Sequence, residues 1–112
     1  MTEFVLIMRR TVVDTEDHPS LDQLQNSIRL WQEWYGWIIM EHALARPLQC
    51  WDRVGRLVKN VDQVIDGPYK EGGETFHGLV IIRTADFDSA LNIARRCPIL
   101  QLGGTVEIRR EL

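Results

Sequence analysis

The chain has 112 residues and a mass of 13.0 kDa, enough for one core and too little for two, so a single domain over residues 1–112 is expected. Apolar residues make up 45% and charged residues 26%, which excludes disordered, collagen-like and coiled-coil chains. Thirteen basic and sixteen acidic side chains leave a net charge of −3. The arginine pairs Arg9-Arg10, Arg95-Arg96 and Arg109-Arg110 are scattered and lack interleaved aromatics, so no nucleic-acid partner is expected.

Glu3 to Arg9 is aliphatic and free of breakers, and predicts a first, buried strand. Thr11 to His18 is polar and acidic, a loop. Ser20 followed by Gln23 forms a capping box and opens a helix expected from Leu21 to about Leu44. Leu21, Leu24, Ile28, Trp31, Tyr35 and Ile38 share one stripe of that helix. Leu30, Trp34 and Trp37 form a second apolar group about 120° away. One sheet cannot cover both groups, so the second must meet the other helix, a partner subunit or a ligand.

Pro47 is expected to end the helical region. Val54 to Lys59 and Gln63 to Ile65 read as two short extended segments about a turn at Lys59–Asp62. Asp66-Gly67-Pro68-Tyr69 reads as a turn or strand exit, and Glu71 to Glu74, with its two glycines, as a flexible connector. His77 to Arg83 is a strong strand. Asp86 caps a second helix with Phe87, Ala90, Leu91 and Ala94 on its apolar side, and Pro98 ends it. Gly103-Gly104 is a turn, and Thr105 to Arg109 alternates as a last strand.

The order is β-α-β-β-α-β with an extra short hairpin. Two right-handed crossovers on one antiparallel sheet give the ferredoxin-like α+β plait. Both faces of the first strand are apolar: Phe4, Leu6 and Met8 alternate with Val5 and Ile7. Helices cover one face. The economical cover for the other is a second copy, so a homodimer joined through the sheet face is expected. Apolar runs such as Trp37 to Met40 are far short of the roughly 20 residues that span a bilayer. No basic-then-apolar leader precedes the first strand, and Cys50 and Cys97 form no disulfide framework. A cytoplasmic protein with no membrane partner is the expectation.

Val64 to Gly72, containing Asp66-Gly67-Pro68-Tyr69, resembles the DGPF/DGPY signature of the YCII-related family. Gly78 to Ile82 with Ala85 to Ala90 is similar to that family's third strand and second helix, and Cys97 to Arg109 to its closing segment. Phe4 to Met8, Pro19-Ser20 and the helix through Trp34 fit as well. Two departures add bulk. Arg46-Pro47-Leu48 and His77-Gly78 stand where similar members often carry Gly-Gly. The resemblance implies a dimeric α+β barrel. The wider superfamily includes cofactor-free isomerases, lyases and oxygenases, and members that only bind small molecules.

In that topology the end of the first strand lies beside the start of the His77 strand. This rim would gather Arg9, Arg10, His18 and His77, with the DGPY turn in reach. A His, an Asp and an Arg at one mouth suit a small anionic or enolisable ligand. Asp66 and His77 are the candidate proton-handling pair of a cofactor-free lyase or isomerase. Asp66 before Gly-Pro equally suits a turn former that accepts backbone N–H groups. Arg9 would hold an anionic group, or else pair with a loop carboxylate. His18 would contribute from the loop, and Tyr69 would donate to a ligand carbonyl. Trp34 and Trp37 would wall a flat ligand, or simply pack. His42 reads as a helix-end cation. The histidines and cysteines show no zinc-like spacing, and no Walker or Rossmann glycine pattern is present, so neither metal nor cofactor is expected. The alternative is a non-catalytic small-molecule-binding or regulatory module in which the DGPY turn is structural.

Overall fold

The computed structural model describes residues 1–11, 20–52 and 54–112. Seven strands, two helices and one 3₁₀ segment follow in chain order among them. They are β1 (Thr2–Thr11), α1 (Leu21–Met40), β2 (Leu44–Cys50), β3 (Arg56–Asn60), β4 (Gln63–Asp66), β5 (Lys70–Glu71), β6 (Glu74–Thr84), α2 (Phe87–Ala94), the 3₁₀ segment Pro98–Leu102 and β7 (Gly104–Arg110). The main sheet runs β2-β6-β1-β7, with β5 continuing the β2 edge of β6, and every pairing is antiparallel. This is the strand order of a ferredoxin-like α+β plait, with the β3–β4 hairpin as a separate two-stranded sheet.

Alternation along the central strands separates two faces. Phe4, Leu6 and Met8 of β1 lie opposite Ile82, Val80 and Gly78 of β6, and with Trp34, Ile38, Ala90, Ile93, Ala94 and Ile99 they form the core. Val5, Ile7, Leu79 and Ile81 point to the other face, where they are half-buried. The Ser20–Gln23 capping box starts α1 as expected. Asp86 caps α2 by accepting from the Ser89 N–H at 2.8 Å.

Three details differ from the sequence expectations. The helix stops at Met40, and residues 44–50 form an edge strand that contains Pro47. An edge tolerates a residue with no N–H donor, and the β2–β6 register slips on either side of Arg46. His42 therefore lies in the turn after the helix, with φ +55°, rather than late within α1. The core face of α1 is carried by Trp34 and Ile38, while Leu21, Leu24 and Ile28 are exposed. Gly72-Gly73 is a tight turn joining β5 to β6, both glycines having positive φ. No helix among the described residues is long and apolar enough to cross a membrane.

Candidate functional site

The rim where β1 ends and β6 begins is shaped by a bulge. Met8 faces Gly78 and Arg9 faces Phe76, so His77 is the extra residue on β6. A bulge re-aims side chains locally. Here it carries His77 to the helix side, where its ring lies 6.1 Å from that of Trp31. Trp31 in turn meets Trp34 edge-on at 5.8 Å. The His77 carbonyl accepts the Trp51 N–H at 2.9 Å and so anchors the chain as it leaves β2. Close approach of β2 explains Gly78, because a Cβ there would stand 2.5 Å from the Gln49 carbonyl oxygen.

Beyond the bulge, Arg9 and Phe76 point to the outer face. They line a hollow of about 310 Å³ with Asp52, Pro68, Tyr69, Glu71, Glu74 and Thr75. The turn after β4 brings Tyr69 here. Gly67 takes φ +94°, which glycine adopts without strain, and its N–H donates to the Gly55 carbonyl at 2.8 Å. The buried Thr75 hydroxyl donates to the Tyr69 carbonyl at 2.8 Å. Arg9 donates from Nη1 to Glu107 Oε1 at 3.0 Å, and Arg109 holds the other oxygen of Glu107 at 3.1 Å. These two hydrogen bonds, that of Arg9 foremost, hold the Glu107 carboxyl below its ordinary pKa. Glu74 accepts from the Thr105 hydroxyl at 2.8 Å, and Asp52 accepts from the Val54 N–H.

The sequence-predicted residues thus fall into groups. Arg9 and Tyr69 meet in the outer hollow. His77 joins Trp34 through Trp31 on the helix side. Asp66 reaches neither group: its side chain is 96% exposed and its ion pair is with Arg56 across the hairpin, at 3.5 Å. His18 lies outside the described residues. Trp34 donates its indole N–H to the Ile93 carbonyl at 3.1 Å, and the Arg96 guanidinium lies 4.3 Å over the Trp37 ring. The second apolar group of α1 therefore meets the C-terminal end of α2. A shallow hollow of about 280 Å³ remains between Leu30, Trp34, Trp37, Arg96 and Pro98. A larger hollow, about 670 Å³, lies between the two chain ends, where Glu3 and Arg83 already satisfy each other at 2.9 Å.

Several lining groups escaped the sequence reading: Asp52, Glu71, Glu74, Phe76 and the Arg9 partner Glu107. Only the alternation of Thr105 to Arg109 against β1 could have found Glu107, once the strand register was known. Among the described residues, no three His, Cys, Asp or Glu side chains are grouped to hold a metal ion. Burial pushes the Cys97 thiol up to about 12, and it contacts the Met8 sulfur at 3.6 Å, which makes it a core group rather than a nucleophile.

A family model described as the YCII-related domain matches residues 41–111, well over half of the chain. No curated protein matches the chain.

Proposed function

The chain belongs to the YCII-related family, and from that premise we propose that it binds a small polar molecule in the hollow between the β1–β6 rim and the DGPY turn. The observation that carries this is the convergence of Arg9, Tyr69 and Phe76 with three carboxylates around one concave space. Arg9 spends Nη1 on Glu107 and keeps further N–H donors for an acceptor. Asp52, Glu71 and Glu74 outnumber it, so the ligand carries a positive group as well. A small zwitterion, or an amine with a polar acceptor, suits that balance, with the two rings against its apolar part. Asp66 and Gly67 serve the turn that brings Tyr69 to the mouth. The protein acts as a homodimer through the outer sheet face, whose centre is Val5, Ile7, Leu79 and Ile81.

His77, held against Trp31, favours a second reading: a cofactor-free lyase or isomerase in which this imidazole moves protons. One set of measurements separates the two. Thermal unfolding is followed with amines, carboxylates and zwitterions, on the wild type, Glu71→Gln, Asp66→Asn and His77→Gln. At ten times Kd a ligand adds about 1.4 kcal/mol, which raises Tm by several degrees. We expect Glu71→Gln to lose that rise and Asp66→Asn to keep it. No response to any compound overturns the binding site. Turnover of a bound compound that disappears in His77→Gln favours the enzyme.

A further inference from the structure

Among the described residues, the β3–β4 hairpin has no strand partner outside itself. Leu57 faces Ile65 and Val58 faces Val64 across it. Val58 and Val64 are 66% and 57% exposed, and Val61 at the tip is 98% exposed. A lone two-stranded hairpin is marginal in water, and a valine pair on its open face adds to the need for a surface. The chain is drawn out accordingly. Its radius of gyration is 15.6 Å, against about 13 Å for a compact chain of this length.

The hairpin roots beside the hollow, because Asp52 precedes it, Pro68 and Tyr69 follow it, and all three line that space. The hollow opens on the outer sheet face, which Arg9 shares with Ile7 and Val5. A second copy on that face therefore lies over the mouth of the hollow. The face alone is small for the task. Four strands about 4.8 Å apart, paired over about seven residues, give a footprint of roughly 450 Å². A stable interface takes about 800 Å² per partner. If each subunit adds its own hairpin and the patch beneath its partner's hairpin, the footprint grows by roughly 300 Å² and approaches that standard.

We propose that residues 56–66 form an exchanged arm. It lies across the second copy with Val58 and Val64 against it, and its Val61 tip completes the wall of that copy's hollow. The inference rests on the homodimer proposed above, and the test separates the two. Sedimentation equilibrium is run on the wild type and on the Val58→Glu/Val64→Glu variant, whose changes lie outside the core. Near-UV circular dichroism checks the fold. In parallel, a spin label at Val61→Cys, in a Cys50→Ser background, is mixed into dimers with an unlabelled, ¹⁵N-enriched copy. We expect a wild-type dimer, a dissociation constant raised at least tenfold in the variant, and broadened amide signals near Phe76 and Leu79 of the enriched copy. A wild-type monomer overturns both the dimer and the arm. A wild-type dimer with an unchanged constant in the variant, or without broadening, overturns the arm alone.

Discussion

Glu107 shows how one side chain ties the site to the sheet. It accepts from Arg9 on β1 and from Arg109 two residues away on its own strand. Its folded pKa lies below the ordinary 4.5, so the folded chain binds fewer protons than the unfolded one near that pH. The stabilisation is complete above the ordinary value and is lost as pH falls through the lower, folded value. Urea midpoints of the wild type and Glu107→Gln should therefore differ at about pH 6 and converge toward about pH 3. Parallel curves would mean that the contact adds no pH-linked stability. The arginine is visible in the sequence as a charge ending an apolar strand, with a loop carboxylate as the expected partner in one of its two roles, whereas the partner found, Glu107, lies on a strand. The partner itself was not visible, because it is 98 residues away and only the strand register brings it close. Asp66 was misplaced for a related reason. Its nearness to His77 in sequence hides the geometry of β4, which fixes it to Arg56 on the hairpin.

At the scale of elements, the two helices and the long strands follow from capping and periodicity. Ser20 with Gln23 and Asp86 with Ser89 close their helix starts by side-chain bonds that local sequence encodes. β2 was the failure, since Pro47 reads locally as a breaker and only an edge position makes it acceptable. Glycines show the same dependence on neighbours. Gly78→Ala would drive a Cβ to 2.5 Å from the Gln49 carbonyl and 3.2 Å from Cys50 Cα. Both atoms are backbone of β2, so the strand must move, at about 1–3 kcal/mol. Gly36 lies within α1 with nothing within 4 Å of its Cβ position. Gly36→Ala should stabilise the protein by about 0.5–1 kcal/mol through helix propensity. Denaturant midpoints that moved in the same direction for both variants would contradict this account of the β2–β6 contact and of α1.

For the whole molecule, stability can be read from its two thiols. Cys50 is exposed and Cys97 is buried where the end of α2, the 3₁₀ segment and β1 meet. Raised to about 12, the Cys97 thiol reacts only when the core opens, whereas Cys50 needs no opening. Alkylation in native buffer should modify Cys50 first, with Cys97 at least about 10³-fold slower, the factor set by a global stability of about 5 kcal/mol or more. Comparable rates would place Cys97 in a locally opening unit. The overall plait could be inferred from the sequence because crossover handedness leaves few arrangements for this order of elements. The location of the hollow could not, since the residues around it come from β1, β5, β6 and both feet of the hairpin.

The bulge at His77 divides β6 into stretches of opposite parity. On its C-terminal side the even-numbered Gly78, Val80 and Ile82 are buried, whereas on its N-terminal side the odd-numbered Thr75 is buried and Phe76 is exposed. A one-residue insertion or deletion in a uniform strand would turn its whole inward set outward. In β6 such a change on the rim side is absorbed before it reaches the core. The strand thus joins one half, whose register the core fixes, to another, whose register can shift and change what the rim presents without moving the core.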